Sequence, residues 1–545
     1  MKTKALVPLL LFALSAALAF ALSTLVLKAP VAQAASGGLQ LRAAVDETRV
    51  LSESEREEFL GRILPKLGSG MVASRLATRL GATGAMSKFL KVPEKKGDGY
   101  RAALDQPVDS DPVGTQNEPS IAASPIDESI VVAVAHNDFN FSGYTNACSI
   151  YLSFDGGVSY FYFDDLPLLD PTDFCSDPVV RFSPDGNTVY YNYLSVRADT
   201  SSSDIVVATA PGFAPDLVGP ATVVIAGGFD FPDKNWLEVH TFDSGDGVVD
   251  GGGYVYVSGT VFFANGDCGI IVNRSANYGL TWDYGAAGSV LFNSPGCSPV
   301  VQGSRPAGGP GQQVLVCYYH SETDGFRLNR FDIKCLSSAD RLTSISAPIT
   351  AANNVPYELS EWLGPTANYH RWWGGMFPSI AIDHRGVAHV AFTVDPTLNQ
   401  LDAESGNVQY MRSTASATIP PYTTWTARVG IGTGGRAQGY PTVVAQRSNT
   451  QVAPNIYIAY VDHYRSLASA PNRVYDVRYR KSTNGGATFG YPVRVTDVSS
   501  LSDWVFIGDY IDSAATMRRY HLVWTDRADK LDIFDPEDDV FADRF

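Results

Sequence analysis

From Glu118 onward the chain repeats one pattern of apolar and polar positions. An apolar run opens after a proline or a small polar cluster, a turn follows, and a second run is dense in Val, Tyr and Ala. The opening runs are EPSIAAS (118), DPVVRFS (177), KNWLEVH (234), SPVVQGS (298), FPSIAID (377), YPTVVAQ (440) and FIGDYID (506). The second runs are SIVVAVAH, TVYYNYLS, YVYVSGTV, QVLVCYYH, VAHVAFTV, NIYIAYVD and RYHLVWTD. Short, β-branched and aromatic runs bounded by turn residues read as strands. Seven units over residues 118–545 give roughly 61 residues each, which suits a four-stranded blade with long loops. Such a unit cannot bury both faces alone, whereas radial stacking covers each sheet with its neighbours. The pattern therefore predicts an all-β fold, a β-propeller of seven blades. Six blades plus a closing strand set is the other count, because the last unit has a third strand only in DVFADRF.

The residues before the repeats read differently. MKTK, an uncharged run from Ala5 to Leu27 and Ala32-Gln33-Ala34 form the three parts of an export leader, residues 1–34. An uncleaved membrane anchor is the competing reading. Residues 35–116 read as a helical pre-domain or linker ahead of a propeller spanning 117–545. Leu51-Ser52-Glu53-Ser54-Glu55 has the form of a capping box with a staple residue, followed by Phe59, Leu60, Ile63 and Leu64 at helical spacing up to Pro65. Val72, Leu76 and Leu80 continue the helical spacing beyond Gly68 and Gly70.

Composition adds limits. The 49 Gly, 32 Pro, 27 Tyr and 27 Phe favour strands and tight turns. Formal net charge is −16, and loss of the leader with Lys2, Lys4 and Lys28 takes it to −19. Such a surface repels phosphate backbones and anionic lipid heads, so nucleic acid is not an expected partner, nor is a membrane once the leader is cleaved. No cofactor is implied, and oligomeric state leaves no mark in the sequence. The expected location is extracellular or periplasmic.

One turn pattern stands out: Ser, any residue, Asp or Asn, any residue, Gly, any residue, Ser or Thr, aromatic. It occurs at Ser153, Asp155, Gly157 and Tyr160, at Ser275, Asn277, Gly279 and Trp282, and at Ser482, Asn484, Gly486 and Phe489. An Asx side chain can accept backbone N–H groups ahead of it, and Gly supplies the positive φ that closes the turn. Each copy follows a strand, which places it on the hairpin between a blade's third and fourth strands.

Internal repetition also pairs the cysteines. Cys175 follows Ser153 by 22 residues and Cys297 follows Ser275 by the same interval, while Cys148 and Cys268 open the corresponding third strands. The expectation is Cys148 with Cys175 and Cys268 with Cys297, each joining a blade to the next blade's first strand, and Cys317 with Cys335 on adjacent strands. An even set of cysteines fits an exported chain, and no C-x-x-C pair suggests zinc.

The turn pattern resembles the Asp-box, or BNR repeat, of the sialidase-like propellers. DKNW (233–236), GDYIDSAA (508–515) and VWTDRAD (523–529) also resemble segments of secreted bacterial proteins of that superfamily. The resemblance implies a ligand site on the face opposite the boxes. It implies a glycan or cell-surface partner, or glycoside hydrolysis with a diverged substrate, and a non-catalytic scaffold is the third reading. The first blade lacks the arginine and F-R-I-P stretch of true sialidases, so no catalytic role is carried over.

The loops on the expected ligand face supply the candidates. Carboxylates and aromatics there include Glu118, Asp177, Asp233, Lys234, Trp236, His370, Trp372, Trp373, Tyr440 and Asp462. Aromatic platforms beside carboxylates suit carbohydrate. Arg371, Arg465 and Arg527 could hold a carboxylate, and Asp509 and Tyr510 complete the catalytic candidates. Asp243, Asp246 and Asp250 form an incomplete calcium loop, more simply a Gly/Asp hairpin.

Overall fold

Val131, Val132, Ala133, Val134 and Ala135 are consecutive and all fully buried, which a strand achieves only when both faces of its sheet are covered. Sheets stacked around an axis meet that condition, and the computed structural model contains seven. It describes residues 106–107 and 115–545 except 140–146, 241–252, 322–329, 357–376, 395–405, 415–421, 433–436, 447–452, 464–473, 498, 502–507 and 527–538. The leader and the helical pattern of residues 51–80 lie outside the described residues.

Each blade is an antiparallel meander running outward from the axis. Blade 1 holds β2 (Thr115–Ala123), β3 (Val131–Phe139), β4 (Ala147–Ser153) and β5 (Phe161–Asp165). Blade 2 holds β6 (Phe174–Phe182), β7 (Thr188–Val196), β8 (Ser203–Pro211) and β9 (Thr222–Ile225). Blade 3 holds β10 (Phe231–His240), β11 (Tyr254–Phe262), β12 (Cys268–Ser275) and β13 (Ser289–Ser294). Blade 4 holds β14 (Val301–Gly308), β15 (Val314–Ser321), β16 (Arg330–Ser338) and β17 (Ile349–Pro356). Blade 5 holds β18 (Ser379–Ile382), β19 (Ala388–Val394), β20 (Asn407–Arg412) and β21 (Val429–Gly430). Blade 6 holds β22 (Ala437–Ala445), β23 (Ile456–His463), β24 (Val474–Ser482) and β25 (Val493–Arg494), with β26 (Ser500–Leu501) also on β24.

Blade 7 combines β27 (Asp512–Ala515), β28 (Tyr520–Asp526) and β29 (Asp539–Arg544) with β1 (Gln106–Pro107), which pairs β29 and supplies the outer strand. The count is therefore seven, and the strand missing from the last repeat comes from ahead of the first. In blade 4 the opening run shifts: the inner strand is VQGSRPAG, and SPVV leads into it. Among the described residues there is no α-helix, and no helix long and apolar enough to cross a membrane.

The three disulfides are Cys148–Cys175, Cys268–Cys297 and Cys317–Cys335. The first ties β4 to β6. The second ends in the short 3-10 turn Pro295–Cys297 just before β14, rather than on the strand itself. The third joins direct partners across β15 and β16.

The Ser-x-Asx turns close on their own side chains. Ser153 Oγ donates to Asp155 Oδ1 at 2.8 Å and accepts the Gly157 N–H at 2.8 Å, while Asp155 accepts from the Ser159 N–H and hydroxyl. These bonds hold the Asp155 carboxyl well below its usual range even against partial burial. Ser275 with Asn277 and Ser482 with Asn484 repeat the geometry. A fourth copy, absent from the sequence pattern, lies at Ser338. Its hydroxyl donates to Asp340 and accepts from the Leu342 N–H, and Ser344 bonds Asp340 twice. Leu342 takes the glycine position at φ 65°.

These turns also join blades. Arg544 on blade 7 donates to the Gly156 carbonyl of blade 1 at 3.0 Å, and Arg412 on blade 5 to the Gly485 carbonyl of blade 6 at 2.7 Å. Arg274 on blade 3 does the same to the Arg341 carbonyl of blade 4. In each case an arginine at or near the end of a third strand grips the fourth residue of the next blade's turn.

Candidate functional site

The opening runs place one residue of each inner strand in the same unusual conformation. Register slips between Asn117 and Ser120, Ser176 and Val179, Asp233 and Trp236, Gln302 and Arg305, and Gly439 and Thr442 mark a bulge at one level of five blades. Its first residue is left-handed: Glu118 (φ 53°), Asp177 (50°), Lys234 (51°), Gly303 (63°) and Tyr440 (52°), with Gly508 (86°) leading into blade 7. A non-glycine residue in that region costs about 1–2 kcal/mol, and such bulges re-aim side chains. Here three of the four non-glycine positions carry ionisable groups that meet.

Lys234 is the centre of the cluster. Its ammonium lies 2.5 Å from Asp177 Oδ1, 2.8 Å from Asp509 Oδ2 and 3.7 Å from Glu118 Oε1. All four side chains are almost entirely removed from solvent. Burial pushes the ammonium down, but Asp177, Asp509 and Glu118 outweigh it and hold its pKa above the ordinary lysine value. Glu118 goes the other way: burial, then the charges of Asp177 and Asp509, drive its carboxyl well above the usual range, with Lys234 opposing. Its Oε2 accepts the Asp177 N–H at 3.2 Å. Glu118 is thus a buried carboxyl group whose neutral form is favoured relative to an exposed glutamate, beside aspartates that Lys234 compensates.

The oxygens of Glu118, Asp177 and Asp509 lie within 4.8 Å of one another, a spacing that would also suit a divalent ion. These oxygens converge on the Lys234 ammonium, which already supplies positive charge there.

A second layer lies further along the same strands. Trp236 is sandwiched by cations, with the Arg305 guanidinium 3.6 Å from its ring centre and that of Arg181 at 5.3 Å. Tyr510 meets the Trp236 ring edge-on at 5.5 Å and donates to the Pro178 carbonyl. Arg181 pairs with Asp512 at 2.8 Å, and Asp512 also accepts from Ser120 at 2.6 Å. Arg305 donates to Ser379 at 3.1 Å, and burial pulls its pKa down to about 10. Carboxylates, cations and two aromatics from blades 1, 2, 3, 4 and 7 therefore line one end of the axis.

Of the residues singled out in the sequence, the structure brings together Asp177, Lys234, Trp236, Asp509 and Tyr510. Asp233 lies beside them and accepts from Gln302 at 2.7 Å. Tyr440 holds the equivalent bulge in blade 6 and is buried. Asp462 belongs to blade 6 itself, bound by Arg478 at 2.6 Å and Gln438 at 3.0 Å. Arg371, Arg465, Arg527, His370, Trp372, Trp373, Asp243, Asp246 and Asp250 lie outside the described residues.

Glu118, named with the expected ligand face, also joins this cluster. Its signal was the shared register of the openers, whose first letters E, D, K and Y fall at one level. Arg181, Arg305 and Asp512 were missed, because Arg181 and Asp512 sit inside runs that read as apolar strand and Arg305 directly follows one.

No family model matches the chain, and no curated protein does. Among solved structures the chain is similar to a Penicillium chrysogenum alpha-L-arabinanase complexed with arabinobiose, at 14% identity and TM-score 0.39 over 69% of this chain and 96% of that one. It is also similar to Trypanosoma rangeli sialidase, at 12% identity and TM-score 0.40 over 79% and 55%. A protein of unknown function from Dyadobacter fermentans gives 12% identity and TM-score 0.42 over 82% and 98%. No residue role passes from these proteins to this chain.

Proposed function

We propose that the protein is a secreted Asp-box propeller of sialidase-like architecture that binds a glycan at the axial end lined by Lys234, Trp236 and Tyr510. The observation that carries this reading is the shared left-handed bulge. Strained backbone at one level of several blades gathers acid, base and aromatic side chains at a single point, and such strain concentrates at functional sites. Hydroxyl-rich ligands are recognised by a few convergent polar groups beside aromatic surface. Three disulfides support an oxidising compartment. A glycan array probed with the full chain, against Lys234→Met and Trp236→Leu variants, tests it. Signal that falls in both variants supports binding at the axis; a blank array for folded protein, or signal unchanged in both, overturns it.

One observation favours a second reading, glycoside hydrolysis. Glu118, whose carboxyl burial pushes well above the usual range, lies within 4.8 Å of two other carboxyl groups, near the roughly 5 Å separation of a proton donor and a nucleophile in retaining enzymes. Release of aryl leaving groups by the wild type, abolished in Glu118→Gln, would replace binding by catalysis as the function.

A further inference from the structure

The face opposite the axial cluster, where the Ser-x-Asx turns lie, exposes apolar side chains in a chain of neighbouring blades. Met517 of blade 7 is 51% exposed, Ile126 and Phe154 of blade 1 are 67% and 49%, Phe213 of blade 2 is 79% and Leu280 of blade 3 is 81%. They sit on the hairpins between first and second or third and fourth strands, so all point to one side of the ring. The hairpins touch: the Arg518 N–H donates to Glu128 at 3.2 Å, joining blades 7 and 1, and a side chain added at Gly186 of blade 2 would collide with Ile126. Large exposed apolar side chains gathered on one face mark an interaction site.

The chain itself enters at this place. Gln106 pairs with Ala542 and Pro107 with Phe541, so β1 runs away from the turn face along the outer edge of blade 7. Gln106, the first residue of β1, is therefore its end nearer the turn face. Upstream of it in sequence lie Phe59, Leu60, Ile63, Leu64, Val72, Leu76 and Leu80, apolar residues at helical spacing. The charges match as well. Residues 51–101 hold ten basic and six acidic residues, a net +4. Residues 1–105 carry 15 basic and nine acidic residues, which leaves residues 106–545 at −22 of the total −16.

We propose that residues 51–101 fold back and dock on the turn face of their own propeller, laying the apolar stripe over Met517, Ile126, Phe154, Phe213 and Leu280. This inference does not depend on the glycan reading, since it concerns the opposite face. Isolated helices of this length are marginal in water, and the propeller supplies the surface that makes them stable.

Photo-cross-linking in the full chain tests the proposal. Phe213→benzoylphenylalanine and Leu280→benzoylphenylalanine place the probe on exposed positions that the fold does not need. The expected result is a monomeric product with cross-linked peptides from residues 51–101. Leu60→Asp combined with Leu64→Asp should cut that yield by a factor of about ten or more, the worth of burying a leucine. Cross-links between two copies, adducts with added phosphatidylcholine vesicles in preference to residues 51–101, or products confined to residues 106–545 would each overturn it.

Discussion

The ammonium of Lys234 in blade 3 lies 2.8 Å from the carboxylate of Asp509 in blade 7, so one ion pair links two blades that are not neighbours. With Asp177 and Glu118 on the same nitrogen, the pair ties four blades at the axis. Removing one partner of a buried pair costs about 3–5 kcal/mol, because the charges left behind lose their compensation. Lys234→Met should therefore lower unfolding free energy at pH 7 by that amount in urea titrations, and adding Asp509→Asn should restore part of it. A loss below about 1 kcal/mol, the scale of an exposed pair, would show that the cluster is solvated.

Glu118 makes the cluster sensitive to pH. Its folded pKa lies above the ordinary glutamate value of 4.5, so as pH rises the folded protein keeps a proton longer than the unfolded chain does. The stability this confers is complete below pH 4.5 and is lost as pH rises through the folded value. Glu118→Gln should remove this dependence and leave the protein at least as stable as wild type at pH 8. Denaturant midpoints across pH 4 to 9 would check it, and identical slopes in both proteins would count against a raised Glu118 pKa.

His521 works in the opposite sense. It is buried on β28 beside Gly157, neither ring nitrogen has a hydrogen-bond partner among the described residues, and burial followed by Arg519 and Arg544 brings its pKa to about 4. The stability is complete above pH 6.5 and is lost as pH falls toward 4, about 3 kcal/mol in all. His521→Gln should flatten the acid limb of the stability profile. An imidazole titrating near 6.5 by NMR would contradict the burial.

Arg412 and Arg544 each hold the next blade's turn by a carbonyl. Hydrogen bonds from a charged donor contribute about 1.5–3 kcal/mol, so Arg412→Ala and Arg544→Ala should each destabilise by that order. The two sites share no partner, and the double variant should show the sum within about 0.5 kcal/mol. Strong non-additivity in thermal unfolding would mean that the ring distributes the strain of a broken joint.

The propeller was legible because its strands are covered on both faces, so VVAVA and TVYYNYL announce themselves as runs. The turns were legible wherever glycine carried the positive φ, and the copy at Ser338 was hidden because Leu342 does that work. At the axis, Asp177 and Lys234 stood out as charges at strand entries. Arg181 and Asp512 did not, since their pairing spans 331 residues and exists only once the ring closes. Asp462 looked equivalent to the axial acids, but Arg478 on the adjacent strand of blade 6 claims it.

β1 and β29 share a sheet although they lie at opposite ends of the described chain. During synthesis the outer strand of blade 7 is therefore made before the other six blades, and its partner after them. Six blades can collapse as they emerge, but the ring has an open seam until residues 539–544 are free to reach Gln106. A ribosome stalled short of Asp539, or a chain exported before that point, would carry an unpaired edge. Full closure waits on residues 539–544, and it comes after every disulfide-bearing residue has already appeared.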